Sequence, residues 1–316
     1  MTEPELTPDE PKEKASWGTI PWLIKGFIIR EMDITTRTNL KMTSKRDYKT
    51  VESVPCHFNV VKAISDDKHW PPYTRYTIDN LFIESKNDHV IVHRNNKVRY
   101  LKCENDVVAY KVGLSFFNSI VFVGRVTMDF MRLTLHYPED APFTHGTLVN
   151  VKELEIAYQS GEKIYKWLDH FVHVEDVTIM ESDAFVKLEC GVRRHSVMMN
   201  AKSVCITQCE GSYAGLKYLR AQRLGIGFFK FDKTEIKKMV KRWIDEDYPI
   251  NSKMCTDMPP STTLMQYVEH MTKYKKFEIR DKKVDYILLE MKSKERKCMA
   301  LYVDDGKLYI EVRSAY

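Results

Sequence analysis

The spacing of apolar residues changes along this chain, and the change constrains what it can fold into. Leu23, Ile24, Phe27, Ile28 and Met32 recur at helical intervals, the stripe of an amphipathic helix. Beyond the Pro71-Pro72 pair the period falls to two. Residues 76–83, 90–93, 98–101 and 107–112 read as short strands rich in β-branched residues, joined by polar turns such as Asn95-Asn96 and Asn105-Asp106. A helical segment ahead of a long β-rich region predicts an α+β protein in two parts.

Within the first part, Pro21 opens a helix. Asp33 and Thr35-Thr36 offer side-chain oxygens to cap a second helix, and Thr43-Ser44 a third carrying Tyr48, Val51 and Val54, which Pro55 ends. The expected organisation is a disordered acidic, proline-bearing leader at 1–15, a three-helix module at 16–60, a linker at 61–73 and a β-rich domain at 74–316.

A looser repetition runs through the β-rich part. Phe130-x-x-Leu133-x-Leu135 matches Val151-x-x-Leu154-x-Ile156, Val174-x-x-Val177-x-Ile179 and Ala201-x-x-Val204-x-Ile206, with a helix expected at 162–172 between two copies. The copies are unevenly spaced and lack the asparagine of a well-formed leucine-rich repeat. Stacked, irregular leucine-rich-repeat-like βα units and an ordinary β-rich α+β domain both accommodate them. Ile236, Met239, Val240, Trp243 and Ile244 mark a helix at 233–245, with Asp232 and Glu235 in the form of a capping box. Strands follow at 277–279, 284–291, 298–303 and 307–312, with Asp305-Gly306 as a hairpin turn.

Composition removes several functional classes. Lys+Arg 49 against Asp+Glu 44 leaves a net charge of +5, and the charges interleave, so no nucleic-acid partner is expected. The apolar run 20–29, broken by Lys25, is too short to span a bilayer, so no membrane partner is expected either. Seven cysteines without CxxC spacing read as reduced thiols of a cytoplasmic or nuclear protein. His170 and His173 on one helix face, His89 and His93 on one strand face, and Cys205 with Cys209 lack the further ligands a metal needs. Gly225-Ile-Gly227 lacks the third glycine of a dinucleotide loop. Neither cofactor, metal nor catalytic residue is expected.

The N-terminal segment resembles an F-box. Ile20-Pro21 stands where that family has Leu-Pro; Ile24, Ile28 and Met32 fill its apolar helix positions, and Asp33 follows. Leu40, Met42 and Ser44-Lys45 match its later Leu, apolar and Ser-Lys positions, and Tyr48 approximates its Trp. Trp22-Leu23 replaces the family's Glu, and Arg37 replaces a Leu. The phrasing through Val51-Glu-Ser-Val54 is similar to the large nematode F-box families. The segment 231–244 resembles a helix of their F-box-associated region.

The resemblance implies a non-catalytic substrate receptor of a Skp–cullin–F-box ubiquitin ligase. Its N-terminal helices would fill a groove on a Skp-family adaptor and, through it, reach a cullin. Its C-terminal domain would hold an unknown protein substrate, so that transfer proceeds by proximity. The adaptor-binding set implied is Ile20, Pro21, Ile24, Ile28, Met32 and Leu40, some of which must fill the module's own core instead. The alternatives are a protein-binding scaffold with a degenerate F-box, and an enzyme, which would need a pocket of polar groups with shifted pKa values.

Overall fold

Local side-chain chemistry starts and stops the first three helices. The computed structural model describes residues 17–65, 73–121, 126–134, 149–158, 164–181, 192, 194–209, 219–228, 233–257, 263–269, 276–280, 285–291, 293 and 295–315. After a 3₁₀ turn (Trp17–Thr19) come α1 (Trp22–Glu31), α2 (Ile34–Thr43) and α3 (Lys45–Ser53). Asp33 Oδ1 accepts the Thr36 N–H at 3.0 Å, and Ser44 Oγ accepts the Asp47 N–H at 3.0 Å, so both expected caps form. Chain contacts divide the protein into one unit of residues 1–56 and another of residues 57–316.

That division departs from the expected boundaries. Strand β1 (Cys56–Ser65) takes up residues assigned above to the end of the module and the start of the linker. It lies inside the sheet of the second unit, next to β6 (Val126–Thr134) and β2 (Thr74–Ile78). The expected leader and the Pro71-Pro72 linker fall outside the described residues.

Among the described residues, the second unit is built on one 15-stranded sheet in three sections. The first is an antiparallel meander of β1, β2, β3 (Leu81–Lys86), β4 (His89–Arg94) and β5 (Lys97–Lys102). The single strand expected at 76–83 is two strands, because Asp79 adopts φ +48° and turns the chain between them.

Residues 107–112, expected as a strand, belong to helix α4 (Asp106–Val121). Asn105 Oδ1 accepts the Val108 N–H at 2.9 Å, so the expected turn residue caps a helix. α4 covers the sheet through Tyr110, Phe117 and Ile120, with Phe117 stacked on Tyr76 at 4.7 Å. At Gly113 a Cβ would meet Ser85 Oγ, so a larger residue here would force the Ser85 hydroxyl to rotate away.

The middle section is parallel: β6, β7 (Val149–Tyr158), β8 (Phe171–Glu181), β9 (Ser203–Cys209), β10 (Arg223–Phe228) and β11 (Lys253–Asp257). Its register gives the repetition a physical meaning. Met131, Leu154, Val177, Val204, Leu224 and Met254 stand side by side, and Leu133, Ile156, Ile179, Ile206, Ile226 and Thr256 form the next row. The first copy therefore begins two residues earlier than expected, at Met128-x-x-Met131-x-Leu133. The two-residue gap in the motif is a break in alternation: Asp129-Phe130, Lys152-Glu153 and Glu175-Asp176 each put two successive residues off the buried face.

Short helices α5 (Ile164–Leu168) and α6 (Ser196–Asn200) and the longer α7 (Lys233–Asp245) lie between these strands in the chain. The helix expected at 162–172 stops at Leu168, and Phe171 already begins β8. In α7, Ile236, Met239, Val240, Trp243 and Ile244 are all buried, as their spacing implies. Its expected capping box involves Asp232, outside the described residues.

After α8 (Met265–Val268), β12 (Lys276–Arg280), β13 (Asp285–Glu290), β14 (Lys297–Asp304) and β15 (Lys307–Ser314) close the sheet as antiparallel hairpins. Asp305 (φ +47°) and Gly306 (φ +70°) make the expected turn between the last two. Leu308, Ile310 and Val312 share the buried face.

Candidate protein-docking surface

Helix α1 is apolar around most of its circumference, more than a one-sided surface helix needs. Its inward side is narrow. Ile29 is fully buried against Val51 and Val54, with Trp17, Met32 and Leu40 packed around them. Lys25, also buried, lays its stem on that side and holds its ammonium 5.4 Å above the Trp17 ring.

The opposite side carries Leu23, 70% exposed, and Phe27, 66% exposed, beside Ile24 and Trp22 at 50% and 58%. On α2, Met42 is 83% exposed. A large side chain of this kind stabilises by about 1.5–3 kcal/mol when fully buried, and contiguous apolar surface of this sort marks an interaction site.

The six residues expected to contact a partner separate by burial. Pro21, Ile24 and Ile28 face outward on or beside α1. Met32 and Leu40 pack into the module's own core, so they support the surface without forming it, while Ile20 is half-buried. Trp22, Leu23, Phe27, Met42 and Tyr48 are large exposed residues of the module absent from the expected set. The all-round apolar character of 22–29 is the sequence signal for the first three.

Two polar devices hold the module in this arrangement. Arg37, where the family resemblance has Leu, is buried and donates from Nη2 to the Val54 carbonyl at 2.7 Å and from Nη1 to the Pro55 carbonyl at 3.4 Å. These carbonyls follow α3, so Arg37 clamps α2 to the end of α3. Burial lowers the Lys41 pKa from the usual lysine value, against the opposing pull of Glu52 at 3.9 Å and with a smaller push from the same guanidinium. Arg37→Leu should destabilise the module by about 1.5–3 kcal/mol, the worth of hydrogen bonds from a charged donor. Faster amide exchange in α2 and α3 reports it. Exchange as slow as in the parent protein would contradict the clamp.

Asp47 is the second device. Its carboxylate accepts from Ser44 Oγ at 2.7 Å, Trp17 Nε1 at 2.8 Å and Thr43 Oγ1 at 2.9 Å, tying the opening turn to the start of α3. These bonds, that of Ser44 foremost, hold its pKa below the ordinary carboxylate value of 3.8. A depressed carboxylate contributes stability above its unfolded pKa and loses it as pH falls through the folded one. The Trp17 indole N–H resonance should therefore stay fixed from neutral pH down to the ordinary carboxylate range and move only below it. Movement near neutral pH would contradict this assignment.

The other pairings weighed in the sequence do not assemble. His170 lies in a turn and His173 on β8, so they share no helix face. His89 and His93 do share a face of β4, and His89 pairs with Asp88 at 2.6 Å. The side chain of Cys209 is outside the described residues. Among the described residues, no group of three or more His, Cys, Asp or Glu could hold a metal, and no helix is long and apolar enough to cross a membrane. No protein-family model matches the chain, and no curated protein matches it.

Proposed function

We propose that this chain is the substrate receptor of a Skp–cullin–F-box ubiquitin ligase. The observation that carries the reading is α1, which buries Lys25 and Ile29 and presents Leu23, Ile24, Phe27 and Ile28 to solvent, inside a segment whose order of residues resembles an F-box. A Skp-type adaptor offers an apolar groove for such a helix and links it to a cullin. The chain contributes binding alone: it brings a substrate lysine near the charged enzyme and makes no bond itself. This assigns it to the cytoplasm or nucleus, where the thiols at Cys56, Cys103, Cys205, Cys255 and Cys298, none of them in a disulfide, stay reduced.

On the same reading, the parallel strands β6–β11 are irregular leucine-rich-repeat-like units. Their half-buried residues, such as Arg132, Glu155 and Thr178, line a face available to a substrate. A second reading, a binding scaffold with a degenerate F-box, is favoured by Trp22-Leu23 standing in place of the family's Glu.

Size-exclusion chromatography of the purified chain with a Skp-type adaptor and the N-terminal part of a cullin separates the two. The receptor reading expects one ternary peak. Elution of this chain apart from the adaptor at micromolar concentrations would leave the scaffold.

A further inference from the structure

Strand β5 is the terminal strand at one end of the sheet order, and all six of its residues are exposed. The hairpin before it fixes which of its main-chain groups are unused. Asn95 (φ +44°) and Asn96 (φ +61°) form a two-residue loop of the primed type. In such a loop the flanking pair, Arg94 and Lys97, exchanges both hydrogen bonds, and bonded pairs then alternate with non-bonded ones. Val92–Arg99 and Val90–Leu101 are bonded pairs, and the Cys103 N–H to Asp88 carbonyl bond at 2.7 Å falls in phase with them. Val98, Tyr100 and Lys102 therefore point their N–H and C=O groups away from β4, along an edge where no described strand pairs.

The side chains of the same three residues lie on the face opposite α4, which packs against Tyr76 and Ser85. There Phe82, His93 and Val98 form one cross-strand row and Glu84, Ile91 and Tyr100 the next. A groove of about 560 Å³ lies over the first row, between Arg75 and the Asn95-Asn96 turn. Phe82, Val98 and Tyr100 are 41%, 43% and 69% exposed.

Charge decides the occupant. Lys97, Arg99 and Lys102 all sit on β5. Of the carboxylates near this face, Glu84 pairs with Arg75 at 2.8 Å and Asp88 with His89 at 2.6 Å. Basic side chains along an edge protect against pairing with a second copy, since two such strands would oppose like charges. The same charges favour an acidic strand.

We propose that the β5 edge is a strand-addition site for an extended acidic segment of a partner protein. The added strand exchanges main-chain hydrogen bonds with Val98, Tyr100 and Lys102. Its apolar side chains extend the rows ending at Val98 and Tyr100, and its carboxylates, on the other face, lie beside Lys97 and Arg99. The inference rests on the receptor reading only in identifying that partner as the ligase substrate.

The test uses the full chain without adaptor and a fluorescein-labelled nine-residue peptide alternating glutamate and valine, read by anisotropy. Micromolar binding is expected. Binding should weaken at least 10-fold when lysine replaces glutamate in the peptide, and equally for Lys97→Glu with Arg99→Glu in a protein whose urea midpoint is unchanged. N-methylating alternate peptide nitrogens should abolish binding in one register and spare it in the other, a readout that needs no change to the protein. Absence of acidic-peptide binding, equal affinity for the lysine peptide, indifference to methylation in both registers, or undiminished binding by the double variant would each overturn the proposal. Because the adaptor is absent, a negative result leaves the ligase reading standing, and loss of adaptor binding leaves the strand-addition site standing.

Discussion

If the proposed receptor function holds, replacing Leu23 and Phe27 together by aspartate should abolish adaptor capture while the module stays folded. Both side chains face away from the Ile29–Val51–Val54 core, so the folding cost is within about 0.5 kcal/mol per site, as for surface changes elsewhere. In the complex, each would place a carboxylate against an apolar groove. Interface anchors cost about 2 kcal/mol or more on truncation, and about 1.4 kcal/mol is a factor of ten. The pair should weaken binding at least about 100-fold in a calorimetric titration. Ile29→Asp must lose capture by another route, since it buries an unpaired charge in the fully enclosed centre of the module. Rapid amide exchange throughout α1–α3 marks that variant, whereas the outward pair retains parental exchange. Tight binding by the outward pair would remove α1 from the interface.

The second large effect lies in the other unit. Trp243 of α7 is buried at 1% exposure and stacks on Tyr248 at 4.7 Å. Trp243→Ala should destabilise that unit by about 3–5 kcal/mol, the combined loss of transfer energy and residual cavity. Trp243→Phe should cost less than half as much. It keeps an aromatic face for Tyr248, and the indole N–H it removes has no hydrogen-bond partner among the described residues, so no bond is broken. Urea unfolding followed by the fluorescence of the remaining tryptophans measures both. Equal losses for the two variants would contradict the stacking account.

Capping chemistry and the helical spacing of 22–32 made the first three helices legible, because Asp33 and Ser44 act on residues three positions away. Which way α1 faces was not legible. Leu23, Ile24, Phe27, Ile28 and Ile29 leave no polar side to choose against. The choice is made by Val51, Val54 and the Trp17–Lys25 contact, all distant in sequence from the helical stripe or part of a turn before it. Met32 and Leu40 therefore looked equivalent to Ile24 and Ile28 until packing separated them.

Residues 107–112 illustrate the ambiguity of a short valine-rich run, which suits strand or helix alike. The continuing stripe of Tyr110, Phe117 and Ile120 was the available sign of α4, and the fit of Gly113 over Ser85 is tertiary. Likewise the apolar-x-x-apolar-x-apolar motif located the parallel strands, but only strand pairing set their register and moved the first copy to Met128. The β5 edge was visible as a strand; its place at the end of the sheet belongs to topology alone.

Hydroxyl-radical footprinting of the full chain, with and without saturating Skp-type adaptor, tests the central claim most directly, because it reads both exposed surfaces at once. The account requires protection of Trp22, Leu23 and Phe27, while Phe82 and Tyr100, exposed on the β2–β5 meander, label as before. Unchanged labelling of α1 in a complex that has formed, or protection confined to Phe82 and Tyr100, would contradict it.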